Sequence, residues 1–89
     1  MRWSAEKSLS LKTERGVSFE EILSAIAQGA LLRVLEHPNR AKYGHQKMLV
    51  VRIRGYVYLV PYVESEEDIF LKSIIPSRKA TREFLSGDK

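Results

Sequence analysis

The stretch Lys47-Met48-Leu49-Val50-Val51-Arg52-Ile53-Arg54-Gly55-Tyr56-Val57-Tyr58-Leu59-Val60-Pro61-Tyr62-Val63 decides the fold. Two runs rich in β-branched and aromatic residues flank one turn-forming pair, Arg54-Gly55, which is the pattern of a β-hairpin. A two-residue loop fixes the register. Ile53 then faces Tyr56, Val51 faces Tyr58, Leu49 faces Val60 and Lys47 faces Tyr62. Side chains alternate along a strand, so Met48, Val50 and Arg52 share the opposite face with Val57, Leu59 and Pro61. Proline brings no N–H to a ladder, so Pro61 implies an edge position or a bulge.

The flanking segments complete the layout. Ala30 to Glu36 reads as a further strand, at an edge. His37-Pro38-Asn39-Arg40 is turn chemistry, and the chain through Gly44 reads as a surface loop. Glu64 to Asp68 is an acidic turn that leads into a last strand, Ile69 to Ile75. A short helix starts at Ser77 or Arg78, and Gly87-Asp88-Lys89 reads as a frayed end. Upstream, Ser4 to Glu14 reads as a helix capped by Ser4 and ended by Gly16, with Trp3, Leu9 and Leu11 as its apolar contributors. Ser18-Phe19-Glu20-Glu21 is a capping box, with Val17 and Ile22 at the staple positions around it. Phe19, Ile22, Leu23, Ile26 and Ala27 then repeat at helical spacing as a buried stripe, closed by Gly29. The expected fold is α+β: two N-terminal helices, an antiparallel meander of about four strands, a short C-terminal helix, and the helices packed on one side.

Composition narrows the function. The 89 residues suffice for one domain, residues 1–89, with one core. No apolar run approaches the roughly 20 residues of a spanning helix. No apolar segment of signal-peptide type follows Met1, so a cytoplasmic location is expected and no membrane partner. Cysteine is absent, which excludes a disulfide scaffold, a thiolate nucleophile and Cys-ligated zinc. No carboxylate cluster has metal-ligand spacing and no Ser-His-Asp arrangement is visible, so neither a metal nor another cofactor is expected. The net charge is +4 and the isoelectric point about 9.6. The charge is segregated. Acids concentrate in Glu20-Glu21 and Glu64 to Asp68, cations in Arg40 to Lys47, Arg52 to Arg54 and Lys72 to Arg82. That pattern suits an anionic partner, nucleic acid or an acidic protein.

The tail from Lys72 to Arg82 carries the best candidates. A strand fixes Lys72 and a helix start fixes Arg78 and Lys79, so rigid elements hold the cations as a phosphodiester site requires. Arg78 is the first choice for a phosphate clamp, because guanidinium forks onto phosphate oxygens; the competing reading is a solvated arginine. Lys72 either interrupts its apolar strand for function or marks the solvent face. His45 is the natural titrating group near neutral pH and stands at a loop-to-strand junction, where sites often sit; the competing reading is a merely exposed loop histidine. His37, before a proline in a turn, reads as structural. Tyr58 and Tyr62 either stack on bases or fill the core. Arg52 and Arg54 either steer phosphates or are solvent-facing hairpin charges.

Three stretches together resemble the BrnT family of bacterial type II toxins. Arg2-Trp3-Ser4-Ala5-Glu6-Lys7 is similar to that family's opening strand-to-helix pattern. Glu14-Arg15-Gly16-Val17-Ser18-Phe19-Glu20-Glu21 resembles its run of a basic residue, histidine, Gly-Val-Ser-Phe-Glu-Glu. Ile74-Ile75-Pro76-Ser77-Arg78-Lys79-Ala80 resembles its Ile-Ile-Ser-Ala-Arg ending. The chain departs from the pattern at Ser4, where the family has an acid, at Glu14-Arg15, which removes the histidine, and at Pro76. The resemblance implies a RelE-like ribonuclease fold and metal-independent RNA cleavage that inhibits translation. It implies a partner too: a small acidic antitoxin with a DNA-binding part, held in a hetero-oligomer. Lys47 matches a charged position that leads a sheet strand in the family. Such cleavage needs a base for the 2′-OH, a cation for the phosphorane and an acid for the 5′-oxygen. Arg78, Lys72, Lys47 and His45 are the expected catalytic set, and Lys79, Arg52, Tyr58 and Tyr62 the expected RNA contacts. The competing expectation is a nucleic-acid- or protein-binding module with no turnover.

Overall fold

The computed structural model of the chain describes residues 1–36 and 46–85. In chain order its elements are α1 (Ala5–Arg15), α2 (Phe19–Ala27), β1 (Leu31–Glu36), β2 (Gln46–Ile53), β3 (Tyr56–Glu64), β4 (Ile69–Leu71), β5 (Ile75–Pro76) and α3 (Arg78–Leu85). The layout is α+β, as expected. The readings at His37 to His45 and at Gly87 to Lys89 fall outside the described residues.

The hairpin has the expected register, Lys47 opposite Tyr62 through Ile53 opposite Tyr56. Arg54 and Gly55 both take positive φ, 52° and 76°, as a two-residue loop that follows the strand twist requires. The sheet is antiparallel in the order β1-β2-β3-β4, with β5 also on β3. β1 therefore lies at the edge. Arg2 adds a parallel bridge to Phe70 on the far side. Its N–H donates to the Ile69 carbonyl at 2.9 Å, and its own carbonyl accepts from Leu71 at 2.8 Å.

The last strand departs from expectation. Instead of one run from Ile69 to Ile75 it is two short strands. β4 pairs Leu71 with Tyr62, and β5 pairs Ile75 with Leu59, so the register advances by one residue between them. Pro61 sits at that break. The Lys72 N–H donates to the Pro61 carbonyl at 2.8 Å. In an antiparallel strand the N–H and C=O of one residue point to the same neighbour, so the missing Pro61 donor faces the irregular segment Lys72 to Ile74. Of the two positions that suit a strand proline, this is the bulge.

The helices cover both faces, not one as expected. On the first face Leu11, Val17, Phe19 and Ile22 from the helical pair meet Leu49, Val51, Ile53, Val60, Tyr62, Leu71 and Ile74. Trp3 joins them, its ring 5.9 Å from that of Phe19. On the second face Ala80, Phe84 and Leu85 of α3 cover Val50, Val57, Leu59, Leu32 and Leu35. The alternation of β2 and β3 puts valine on both faces, so one helical layer leaves the other apolar side in water. Three smaller expectations also fail. Leu9 is 72% exposed, Leu23 41% exposed and Ala27 exposed, while Ser8 takes the buried position on α1.

Candidate nucleic-acid interface

The second face of the sheet collects the cations. Arg33 pairs with Val50 on β2 and lies over the Phe84 ring. Arg52 stands opposite Val57. The Lys72 ammonium lies 5.5 Å from the centre of the Phe70 ring. Arg2 shares a cleft with Phe70 and Val63. Among the described residues every charged side chain on this face of the strands is cationic. The first face, in contrast, holds Glu36 and Glu64 beside Lys47.

α3 adds Arg78 and Lys79 at its start, both exposed. Its position is set by backbone and cap bonds. The Ser77 N–H donates to the Val57 carbonyl at 3.0 Å. Ser77 Oγ accepts from the Ala80 N–H at 3.0 Å, which caps the helix. Thr81 Oγ1 donates to the Ser77 carbonyl at 2.7 Å and accepts from the Val57 N–H at 2.9 Å. The first turn of α3 is thus fastened to β3. Arg78, Lys79 and Arg52 have no side-chain partner among the described residues. Phe70, Lys72, Ile75 and Ser77 face the row Val63, Pro61, Leu59 and Val57. That row spans about 20 Å at the usual strand rise, with Phe70 at one end and the start of α3 at the other.

The expected site residues divide between the two faces. Lys72, Arg52, Arg78 and Lys79 belong to the second. Lys47 lies on the first, where its ammonium meets the Glu64 carboxylate at 3.1 Å. That hydrogen bond and charge pair hold the Lys47 pKa above the ordinary lysine value. Tyr62 is only 5% exposed and part of the first core. Burial pushes its phenol pKa up, against the opposing pull of Lys47. It cannot stack on a base. Tyr58 also faces the helical side, half-buried, with its ring edge-on to Tyr56 at 5.5 Å. The physical reason is alternation: both tyrosines share the face of Val60, which α1 and α2 cover. His45 lies outside the described residues.

Two residues escaped the sequence reading. Among the described strand residues Phe70 is the aromatic on the basic face and is 39% exposed; its place opposite Val63, on the face of Pro61, was the available signal. Arg2 reaches the face only through its bridge to Phe70, which local pattern does not reveal. Among the described residues no group of three or more His, Cys, Asp or Glu is placed to hold a metal ion, and no helix is long and apolar enough to cross a membrane. No protein-family model, curated protein or solved structure matches the chain.

Proposed function

We propose that the chain is the toxin of a type II toxin–antitoxin system, a BrnT-like, RelE-like protein that binds RNA on the second face of its sheet and cleaves it in the cytoplasm. The observation that carries the reading is the face on which the strand charges are all cationic, continued by the unpaired Arg78 and Lys79. Closely placed guanidinium and ammonium groups with no internal partner are suited to phosphate oxygens. In the proposed reaction the 2′-oxygen loses its proton to a base and attacks the adjacent phosphorus. The P–O5′ bond breaks as an acid protonates the departing 5′-oxygen, leaving a cyclic phosphate and a 5′-hydroxyl. Arg78 stabilises the charge of the phosphorane with Lys79 beside it in the chain, and Lys72, opposite Pro61 further along the row, holds a neighbouring phosphate. The same face would take an acidic antitoxin segment, which blocks RNA by occupying its phosphate contacts.

A second reading, binding with no turnover, draws on a specific observation. Among the described residues the carboxylates on the sheet strands, Glu36 and Glu64, lie on the opposite face, beside Lys47. Incubation of the purified chain with total RNA separates the two. Toxin chemistry gives fragments ending in cyclic phosphate. Arg78→Ala then removes about a hundredfold of the rate, the usual cost of a lost transition-state contact, at unchanged melting temperature. Arg78→Lys recovers part of it, because an ammonium lacks the planar fork. Retention of RNA without fragments supports the binding module, and no interaction with RNA removes both.

A further inference from the structure

We propose that Phe70, Lys72 and Arg2 form a subsite for one unpaired nucleotide, the base stacked on Phe70 and the flanking phosphates on the two cations. This rests on the RNA-binding reading above and adds strandedness and a base contact to it. Other large apolar side chains of the second face, Val50, Val57 and Leu59, are packed against α3. Phe70 is left 39% exposed on a strand. Beside it lies a cleft of about 270 Å³, lined by Arg2, Val63, Ser65, Asp68, Ile69 and Phe70, with room for one base.

The charges fit a nucleotide. The Lys72 ammonium stands 5.5 Å from the Phe70 ring centre, a separation of the order of that between base and phosphate within a nucleotide. It is flexible enough to leave the ring for an oxygen. Among the described residues the only carboxylate lining the cleft, Asp68, is already engaged. It meets the N-terminal ammonium at 2.7 Å and accepts from the Ile69 N–H at 2.8 Å, so its charge is largely spent locally. In an A-form duplex the base faces are stacked and out of reach, so the subsite selects single strands. An acidic peptide offers the charge but nothing to stack on the ring.

The test is fluorescence anisotropy of the full chain with a labelled short oligoadenylate and with a blunt-ended RNA duplex of equal charge. Phe70→Leu is expected to weaken binding to the single strand about tenfold, as loss of one base–aromatic stack does, and to leave binding to the duplex unchanged. Phe70→Trp is expected to keep the affinity and to show tryptophan quenching on binding. An unchanged melting temperature of Phe70→Leu verifies the fold. Equal losses on both probes, or no loss on the single strand, overturn the subsite while leaving RNA binding in place. Competition by polyglutamate as strong as by RNA overturns it in favour of an acidic protein partner. Absence of RNA binding by the unaltered chain removes both this inference and the reading it rests on.

Discussion

Ser8 does at the residue scale what the capping box does for its own helix. Its hydroxyl donates to the Glu20 carboxylate at 2.7 Å and accepts from the Phe19 N–H at 3.0 Å. Phe19 is the first residue of α2, and the first N–H groups of a helix have no intrahelical acceptor. The Ser18 hydroxyl and the Glu21 carboxylate exchange bonds with each other's N–H groups next to it. Ser8→Ala leaves the buried Phe19 N–H without an acceptor and is expected to cost about 1–3 kcal/mol. Ser18→Ala is expected to cost about 1 kcal/mol. Urea denaturation measures both, and a Ser8→Ala chain of full stability would contradict the proposed tie between α1 and α2. The Ser18 box was legible because it is written within four residues. The Ser8 bond was not, because it joins two helices, and the weak stripe on α1 pointed to Leu9 instead. Tyr58 and Tyr62 were ambiguous for a related reason: period two identifies a strand face but not which helix will cover it.

At the element scale the hairpin was legible to the residue, since a two-residue turn leaves one register. Gly55 carries φ 76° with nothing near its absent Cβ, so Gly55→Ala tests backbone strain alone. It is expected to cost about 1 kcal/mol, read as a lower melting temperature with the hairpin intact. The break between β4 and β5 was half-legible. Pro61 announced a bulge or an edge, but only the pairing of β3 on both sides settles which. Where α1, α2 and the turn meet, Lys12 and Arg54 bracket Glu21, at 2.5 and 3.9 Å. The Lys12 hydrogen bond foremost lowers the Glu21 pKa below 4.5. The Ser8 hydroxyl lowers Glu20, and the N-terminal ammonium lowers Asp68 below 3.8. Each folded pKa lies under its unfolded value, so in acid the unfolded chain binds more protons. The stability they contribute is present above the unfolded values and is lost as pH falls through the folded ones. Lys47 is the opposite case. Its folded pKa is raised above 10.5, so its contribution is present below that value and fades as pH rises through the folded one. Urea midpoints are therefore expected to fall from pH 7 to pH 3, and Glu21→Gln to fall less over that range than the unaltered chain. Equal slopes would remove Glu21 from the acid response.

At the scale of the whole molecule the governing feature is a two-faced sheet. Valine on both faces of β2 and β3 requires cover on both, and α3 supplies it on the second face for only part of the sheet. What stays open is the region of Phe70 and Ile75, 39% and 40% exposed, with Arg2, Lys72, Arg78 and Lys79 around it. The sequence showed that cations cluster in the tail and on the hairpin. It did not show that Lys47 and Lys72 would part company, because a strand residue's face depends on the register of its neighbours and on the bulge at Lys72. Binding through this face is expected to weaken steeply with salt, since each phosphate contact releases counterions. The most direct measurement is a map of backbone amide chemical shifts as a short oligoribonucleotide is added to the full chain. Changes are expected to concentrate at Arg2, Arg52, Phe70, Lys72 and the first turn of α3, with α1 and α2 silent. Changes centred on α1 and α2, or none at all, would contradict binding through this face.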